Sequence, residues 1–185
     1  MIDETLSDAA DKMERTIDAA REDFASVRTG RANPNLYAKV MVDYYGSPTP
    51  LQQLASFATP DARTILITPY DVTALREIEK ALGDSEIGAN PSNDGKTIRV
   101  VMPELTQERR KEYVKLVKGK GEDAKVAIRN HRRKAKESID KLVKDGEVGE
   151  DDGSRGEKDL DALTKKHVDL IDEMLKKKEA ELLEV

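Results

Sequence analysis

The side chains best placed to do chemistry are a row of cations. On a helix through residues 106–145, Lys111, Lys115, Lys118, Glu122, Lys125, Arg129, Arg132 and Lys136 recur at steps of three and four and so share one face. Seven of the eight are cationic. Residues 109–136 hold twelve Lys or Arg against three acids, a local +9 in a chain whose net charge is −5. Surfaces built only for solubility mix their signs, whereas this one segregates them. A cationic ridge on an acidic protein points to a polyanionic partner, and the planar fork of arginine suits phosphate.

Other chemistry finds little support. Gly88 through Gly95-Lys96-Thr97 approaches a phosphate-loop pattern, but its glycines are seven residues apart rather than five. It also leads into a strand, where a phosphate loop must open a helix. With no His-Glu-x-x-His pair and two histidines in all, no histidine metal site is expected. No serine sits in a nucleophile-elbow pattern, and the carboxylates are scattered along charged helix faces. The chain reads as non-enzymatic, with no cofactor and no metal.

The ridge needs a long helix to carry it. One residue before the ridge positions from Lys115 onward lies a second, mostly small and apolar row: Val114, Val117, Gly121, Ala124, Ile128, His131 and Ala135, continued by Leu142. Forty helical residues would span about 60 Å, which suits an elongated bundle. Thr106 is its expected N-cap. A first helix is expected over 3–29, with Leu6, Met13, Ile17, Ala20, Phe24 and Val27 on its apolar face, Asp3 as cap and Gly30 as stop. A last helix is expected to open at the capping box Ser154-Arg155-Gly156-Glu157 and to run through Leu160, Leu163, His167, Leu170, Met174 and Leu182. Pairing of the last two helices about a loop near Glu150 would bring His131 and His167 level. The simpler reading is two seam residues with local hydrogen bonds; the alternative, a neutral pair, would loosen the bundle on protonation.

Between these helices the texture changes. Short β-rich runs at 40–45, 54–58, 65–67 and 97–102 are separated by Gly and Pro, with a turn at Asn93-Asp94-Gly95. Val72, Leu75, Ile78 and Leu82 mark one short helix closed by Gly83. The fold expected is α+β: an elongated three-helix bundle, residues 1–30 plus 105–185, with a small β-rich α/β domain, residues 31–104, inserted after the first helix. Two short crossings, each with a proline, would join the two as a hinge: Gly30, Arg31, Ala32, Asn33 and Pro34 on one side, Met102, Pro103 and Glu104 on the other.

Composition agrees. Hydrophobic and charged residues each make up 37%, which favours long exposed helices over a thick globule. The absence of cysteine removes disulfides and thiol chemistry and sits easily with a reducing cytosol. No run of eighteen apolar residues and no N-terminal apolar segment is present, so no membrane association and a cytoplasmic location are expected.

Several stretches then carry a family resemblance. Val27-Arg28-Thr29-Gly30-Arg31-Ala32-Asn33-Pro34, Asp43-Tyr44-Tyr45-Gly46-Ser47-Pro48-Thr49-Pro50-Leu51 and Gln53-Leu54-Ala55-Ser56 resemble signatures of the ribosome recycling factors. So do Leu105-Thr106-Gln107-Glu108-Arg109-Arg110, Arg129-Asn130-His131-Arg132-Arg133 and Lys178-Glu179-Ala180-Glu181-Leu182. His131 departs from the aliphatic residue usual there. The resemblance implies a near-L-shaped monomer that binds the post-termination ribosome on its large subunit. With elongation factor G, and GTP hydrolysis by that factor, it would separate the subunits. It also implies ribosomal-RNA contacts by Arg132, Arg129, Arg133 and Lys125 on the ridge, and by Arg110, Arg28 and Arg31 near the hinge. Arg28 and Arg31 have a second reading, organising the helix end and the crossing. A non-ribosomal RNA-binding or scaffolding coiled-coil protein is the alternative, and a nucleotide-using enzyme a more distant one.

Overall fold

The computed structural model describes residues 1–85, 87 and 89–184; Gly88, the first glycine of the rejected phosphate-loop pattern, lies outside them. In chain order the elements are α1 (Ile2–Ala25), a 3₁₀ turn (Pro34–Tyr37), β1 (Met41–Tyr44), β2 (Ser47–Pro50), the single-turn α2 (Leu51–Leu54), β3 (Ala55–Asp61) and β4 (Thr64–Pro69). A second 3₁₀ turn (Val72–Ala74), α3 (Leu75–Gly83), β5 (Pro91–Asn93), β6 (Ile98–Val101), α4 (Gln107–Lys144) and α5 (Glu150–Leu183) follow. The chain divides into two compact units, Met1–Phe24 with Lys115–Glu179, and Ala25–Val114 with Ala180–Val185.

The first unit is a three-helix bundle. α1 buries Ala9, Met13, Ile17, Ala20 and Phe24, and α4 buries Val117, Gly121, Ala124, Ile128, Ala135 and Ile139, mostly at steps of three or four. The α4 row is the expected seam with Ile139 added; Val114, His131 and Leu142 of that seam are half-buried. On the part of α5 in this unit the buried row is Gly153, Gly156, Leu160, Thr164, His167, Ile171 and Lys178. A Cβ on Gly121 would stand 3.4 Å from Leu175 and 3.7 Å from the Phe24 ring, so the missing side chain is filled by its neighbours. α4 ends in a Schellman turn: Gly146 (φ +72°) donates to Val143 O at 3.0 Å and Glu147 donates to Leu142 O at 3.0 Å.

Three sequence expectations change at the helix ends. α1 stops at Ala25 rather than near Thr29, and its first turn includes Asp3 rather than following it as a cap. Gly30 is therefore not its stop. α5 starts at Glu150, so Ser154 lies inside the helix and does not cap it. Glu150, Asp151 and Asp152 supply the negative charge favoured at its N-terminus. Gly153 and Gly156 are packing residues instead: an added Cβ would come within 2.5 Å of Val143 Cγ2 and 2.8 Å of Ile2 Cγ2 respectively.

The second unit holds an antiparallel four-stranded sheet in the order β3-β4-β6-β5 and a separate β1-β2 hairpin. Tyr45 (φ +52°) and Gly46 (φ +79°) form the two-residue turn of that hairpin, the conformation a right-twisted ribbon requires. Tyr45 thus leaves the strand expected at 40–45. Residues 51–54 form a helical turn, so the third strand begins at Ala55. Ile65 faces Val100 and Ile67 faces Ile98 across β4 and β6, all four fully buried. Ile78 and Leu82 of α3 join the same core, with Leu51, Val42, Tyr37 and Met102. Burial of each large aliphatic side chain contributes about 1.5–3 kcal/mol, so this core can hold so short a sheet together.

Candidate nucleic-acid interface

α4 is 38 residues long, about 57 Å of continuous helix. The Thr106 side chain accepts from Arg109 N at 3.2 Å and so caps it, as expected. With the seam row turned inward, the ridge one residue away falls at the edge of the bundle. Its cations do not all have the same surroundings.

One set is tied to α5. Lys118 Nζ lies 3.8 Å from Glu179, Lys125 pairs with Asp172, Arg132 with Asp161, and Lys136 Nζ lies 3.8 Å from Glu157. These pairs run in opposite chain directions, as an antiparallel hairpin of helices requires. Lys125 also reaches Glu122 at 3.4 Å, and its side chain is only 13% exposed. Bonding to Asp172 raises its pKa, against the opposing effect of burial. Its ammonium is used within the bundle. Arg132 is 33% exposed; Nε donates to Asp161 Oδ1 at 2.7 Å and Nη2 lies 2.6 Å from the same oxygen. Lys136 is held by Asp140 at 2.9 Å, and this bond raises its pKa.

The other set is open. Arg129 and Arg133 are exposed. Neither forms an ion pair among the described residues. Arginines of this kind are available to a phosphate backbone without first giving up a carboxylate.

The remaining candidates sit in the second unit. Arg28 is only 8% exposed; Nη2 donates to Pro103 O, and Nε is buried without a partner. Its pKa is lowered, chiefly by burial; Tyr113 and Tyr37 oppose the shift, and Arg109 and Arg63 add to it. Arg31 is exposed and lies 3.6 Å from Glu184 Oε2, and Arg110 Nη1 donates to Glu184 O at 2.9 Å.

Both expected crossings are bonded to the turn between β3 and β4. Ala32 N donates to Ala62 O at 2.7 Å, Met102 N to Arg63 O at 2.7 Å, and Arg63 Nε to Met102 O at 2.9 Å. Arg63 also meets Glu104 at 3.4 Å. Asn33 is extended (φ −139°, ψ 122°), as a residue before proline should be, and its side chain accepts from Asn35 N. Gly30 has no positive φ and a free Cβ position, so no local geometry requires glycine there.

The two histidines do not bond to each other. His131 Nε2 lies 3.2 Å from Thr16 Oγ1, while His167 Nε2 lies 2.9 Å from Glu14 Oε1 and Nδ1–H donates to Leu163 O at 2.8 Å. Their α1 partners are two residues apart, about 3 Å of helix rise, so each histidine is a seam residue with its own local bond and the two do not form a pair.

Sequence reasoning missed the carboxylates Asp161, Asp172, Glu157 and Glu179. Their signal was present: folding 147–183 back along α4 sets these acids opposite Arg132, Lys125, Lys136 and Lys118. Among the described residues no group of His, Asp or Glu is arranged to hold a metal ion, and no helix is long and apolar enough to cross a membrane.

Comparison with known proteins adds an independent finding. The model of the family described as ribosome recycling factor matches residues 20–183. A ribosome-recycling factor of Arthrobacter sp. (strain FB24) is 76% identical over 185 residues, covering 100% of both chains. The solution structure of a ribosome recycling factor matches with a TM-score of 0.81 at 36% identity, covering 100% of this chain and 98% of that one. A second structure gives models for the T. thermophilus ribosome recycling factor and the E. coli elongation factor G bound to the E. coli post-termination complex. Its matching chain has a TM-score of 0.71 at 38% identity, with 100% of both chains covered. By sequence over its whole length and by fold, this chain belongs to the ribosome recycling factor family.

Proposed function

We propose that the chain binds the post-termination ribosome and, with elongation factor G and that factor's hydrolysis of GTP, separates the subunits for another round of translation. Membership of the family over the full length carries this reading. The T. thermophilus factor, bound together with elongation factor G to the post-termination complex, supports the choice of partners. As a member of this family the chain is a translation factor and not an enzyme; its work is mechanical.

On this reading the partner surface is ribosomal RNA of the large subunit, met by α4. Arg129 and Arg133 offer open guanidinium groups, and Arg132 offers one that is already oriented. Lys125 and Arg28 act from within, the first holding α5 and the second holding the Pro103 carbonyl. Arg31 and Arg110 reach RNA by exchanging Glu184 for phosphate. Gly30, Arg31, Ala32, Asn33 and Pro34, with Met102, Pro103 and Glu104, serve as the flexible crossings. The factor works as a monomer in the cytoplasm.

Light scattering of post-termination ribosomes, mixed with elongation factor G and GTP, tests this. The wild-type protein should split the subunits, and Arg132→Ala should split them at least tenfold more slowly while melting normally, about the loss of one charge-assisted fork. No splitting by wild type with a matched translocase would refute the function. Full activity of the variant would refute the role of Arg132 alone.

A further inference from the structure

We infer that Asp161 is a positioning residue: it grips Arg132 by one edge of the guanidinium so that the opposite edge is presented to an RNA phosphate. The inference rests on the reading of Arg132 as an RNA contact. A guanidinium has two usable edges, Nε with Nη2 and Nη1 with Nη2. Nε donates to Asp161 Oδ1 at 2.7 Å and Nη2 lies 2.6 Å from the same oxygen, so both contacts fall on the first edge. Nη1 carries no bond among the described residues. A hydrogen bond and an ion-pair contact on one side of the group hold that edge towards Asp161, so part of the rotamer freedom of a long side chain is lost on folding and not on binding.

The contrast with Lys125 shows why the residue type matters. An ammonium is a point charge with no second edge, and at Lys125 it is shared between Asp172 and Glu122. Among the described residues Arg129 and Arg133 have charge but no orienting partner. Arg132 alone among these four combines an anchoring carboxylate with an unused edge. Stability is a weak reason for the pair, because Arg132 is 33% and Asp161 52% exposed and such ion pairs contribute little to folding. An acid beside an RNA-binding face should weaken binding by simple repulsion. A carboxylate in that place is explained if orientation outweighs repulsion.

The opposite signs of these two effects make the test decisive. Affinity for vacant ribosomes is measured for the full-length wild type, Asp161→Ala, Arg132→Ala and the double variant. Asp161→Ala should weaken binding about fivefold when Arg132 is present, although it makes the protein more positive. In the Arg132→Ala background the same change should leave binding equal or tighter. Tightening in both backgrounds would show Asp161 to be only a repelling charge and overturn the inference. Weakening by one factor in both would show a general structural role and overturn it too. If Arg132→Ala itself leaves affinity unchanged, the failure lies one step earlier, in the reading of Arg132 as an RNA contact.

Discussion

His131 shows how one polar residue is accommodated in an otherwise apolar row. Thr16 Oγ1 donates to Lys12 O at 3.1 Å, which leaves its lone pairs to accept from His131 Nε2–H at 3.2 Å. The ring is therefore satisfied as a neutral imidazole with its proton on Nε2. Its pKa is lowered, first by burial and then by Lys12 and Lys134, with Asp8 opposing. The unfolded chain then takes up protons at a higher pH than the folded one. The His131 contribution is complete above about pH 6.5 and is lost as the pH falls. His131→Leu should accordingly lose less thermal stability than wild type between pH 7 and pH 5. Equal drops in melting temperature for the two proteins would contradict this.

At the scale of elements, the start of α5 is the instructive case. Ser154 and Glu157 have the spacing of a capping box, yet the helix begins four residues before Ser154. The cause is close packing: Gly153 and Gly156 bring α5 against Val143 and Ile2, and that contact holds an extra turn that local sequence disfavours. Ser154→Ala should change stability by less than about 0.5 kcal/mol, where loss of a true cap would cost about 1 kcal/mol. Gly153→Ala should destabilise by about 1–3 kcal/mol, because the clash with the stiff Val143 side chain exceeds the helix-propensity gain of about 1 kcal/mol. Urea unfolding of the two variants checks both values. A stabilised Gly153→Ala would mean that this contact relaxes freely.

Across the whole molecule, charge is the property that matters. On the proposed reading, a chain of net charge −5 meets a polyanion through one helix whose 109–136 stretch holds twelve Lys or Arg against three acids. On the same reading, the acidic remainder would disfavour other docking orientations and the field would select the α4 face before contact. Ribosome affinity should fall steeply with salt, and Arg129→Ala and Arg133→Ala should each reduce the log–log salt slope by about 1. Titrations at several salt concentrations would test this, and a slope unaltered in both variants would remove these residues from the interface.

Much of this organisation was legible in the chain itself. The seam and ridge of α4 follow from a period of 3.6, and Thr106, Asn33-Pro34 and the Asn93-Asp94-Gly95 turn act through their own backbone geometry. Such features are local, so neighbouring residues suffice to set them. Tertiary structure decided the rest. It ended α1 at Ala25, extended α5 back to Glu150, and gave each histidine a separate partner on α1. It also sorted one uniform row of cations into those held by α5 and those left open. Arg129 and Arg132 look alike in sequence, but among the described residues only the second pairs with a carboxylate on the facing helix. That distinction depends on residues nearly thirty positions apart meeting in space, which no local pattern encodes.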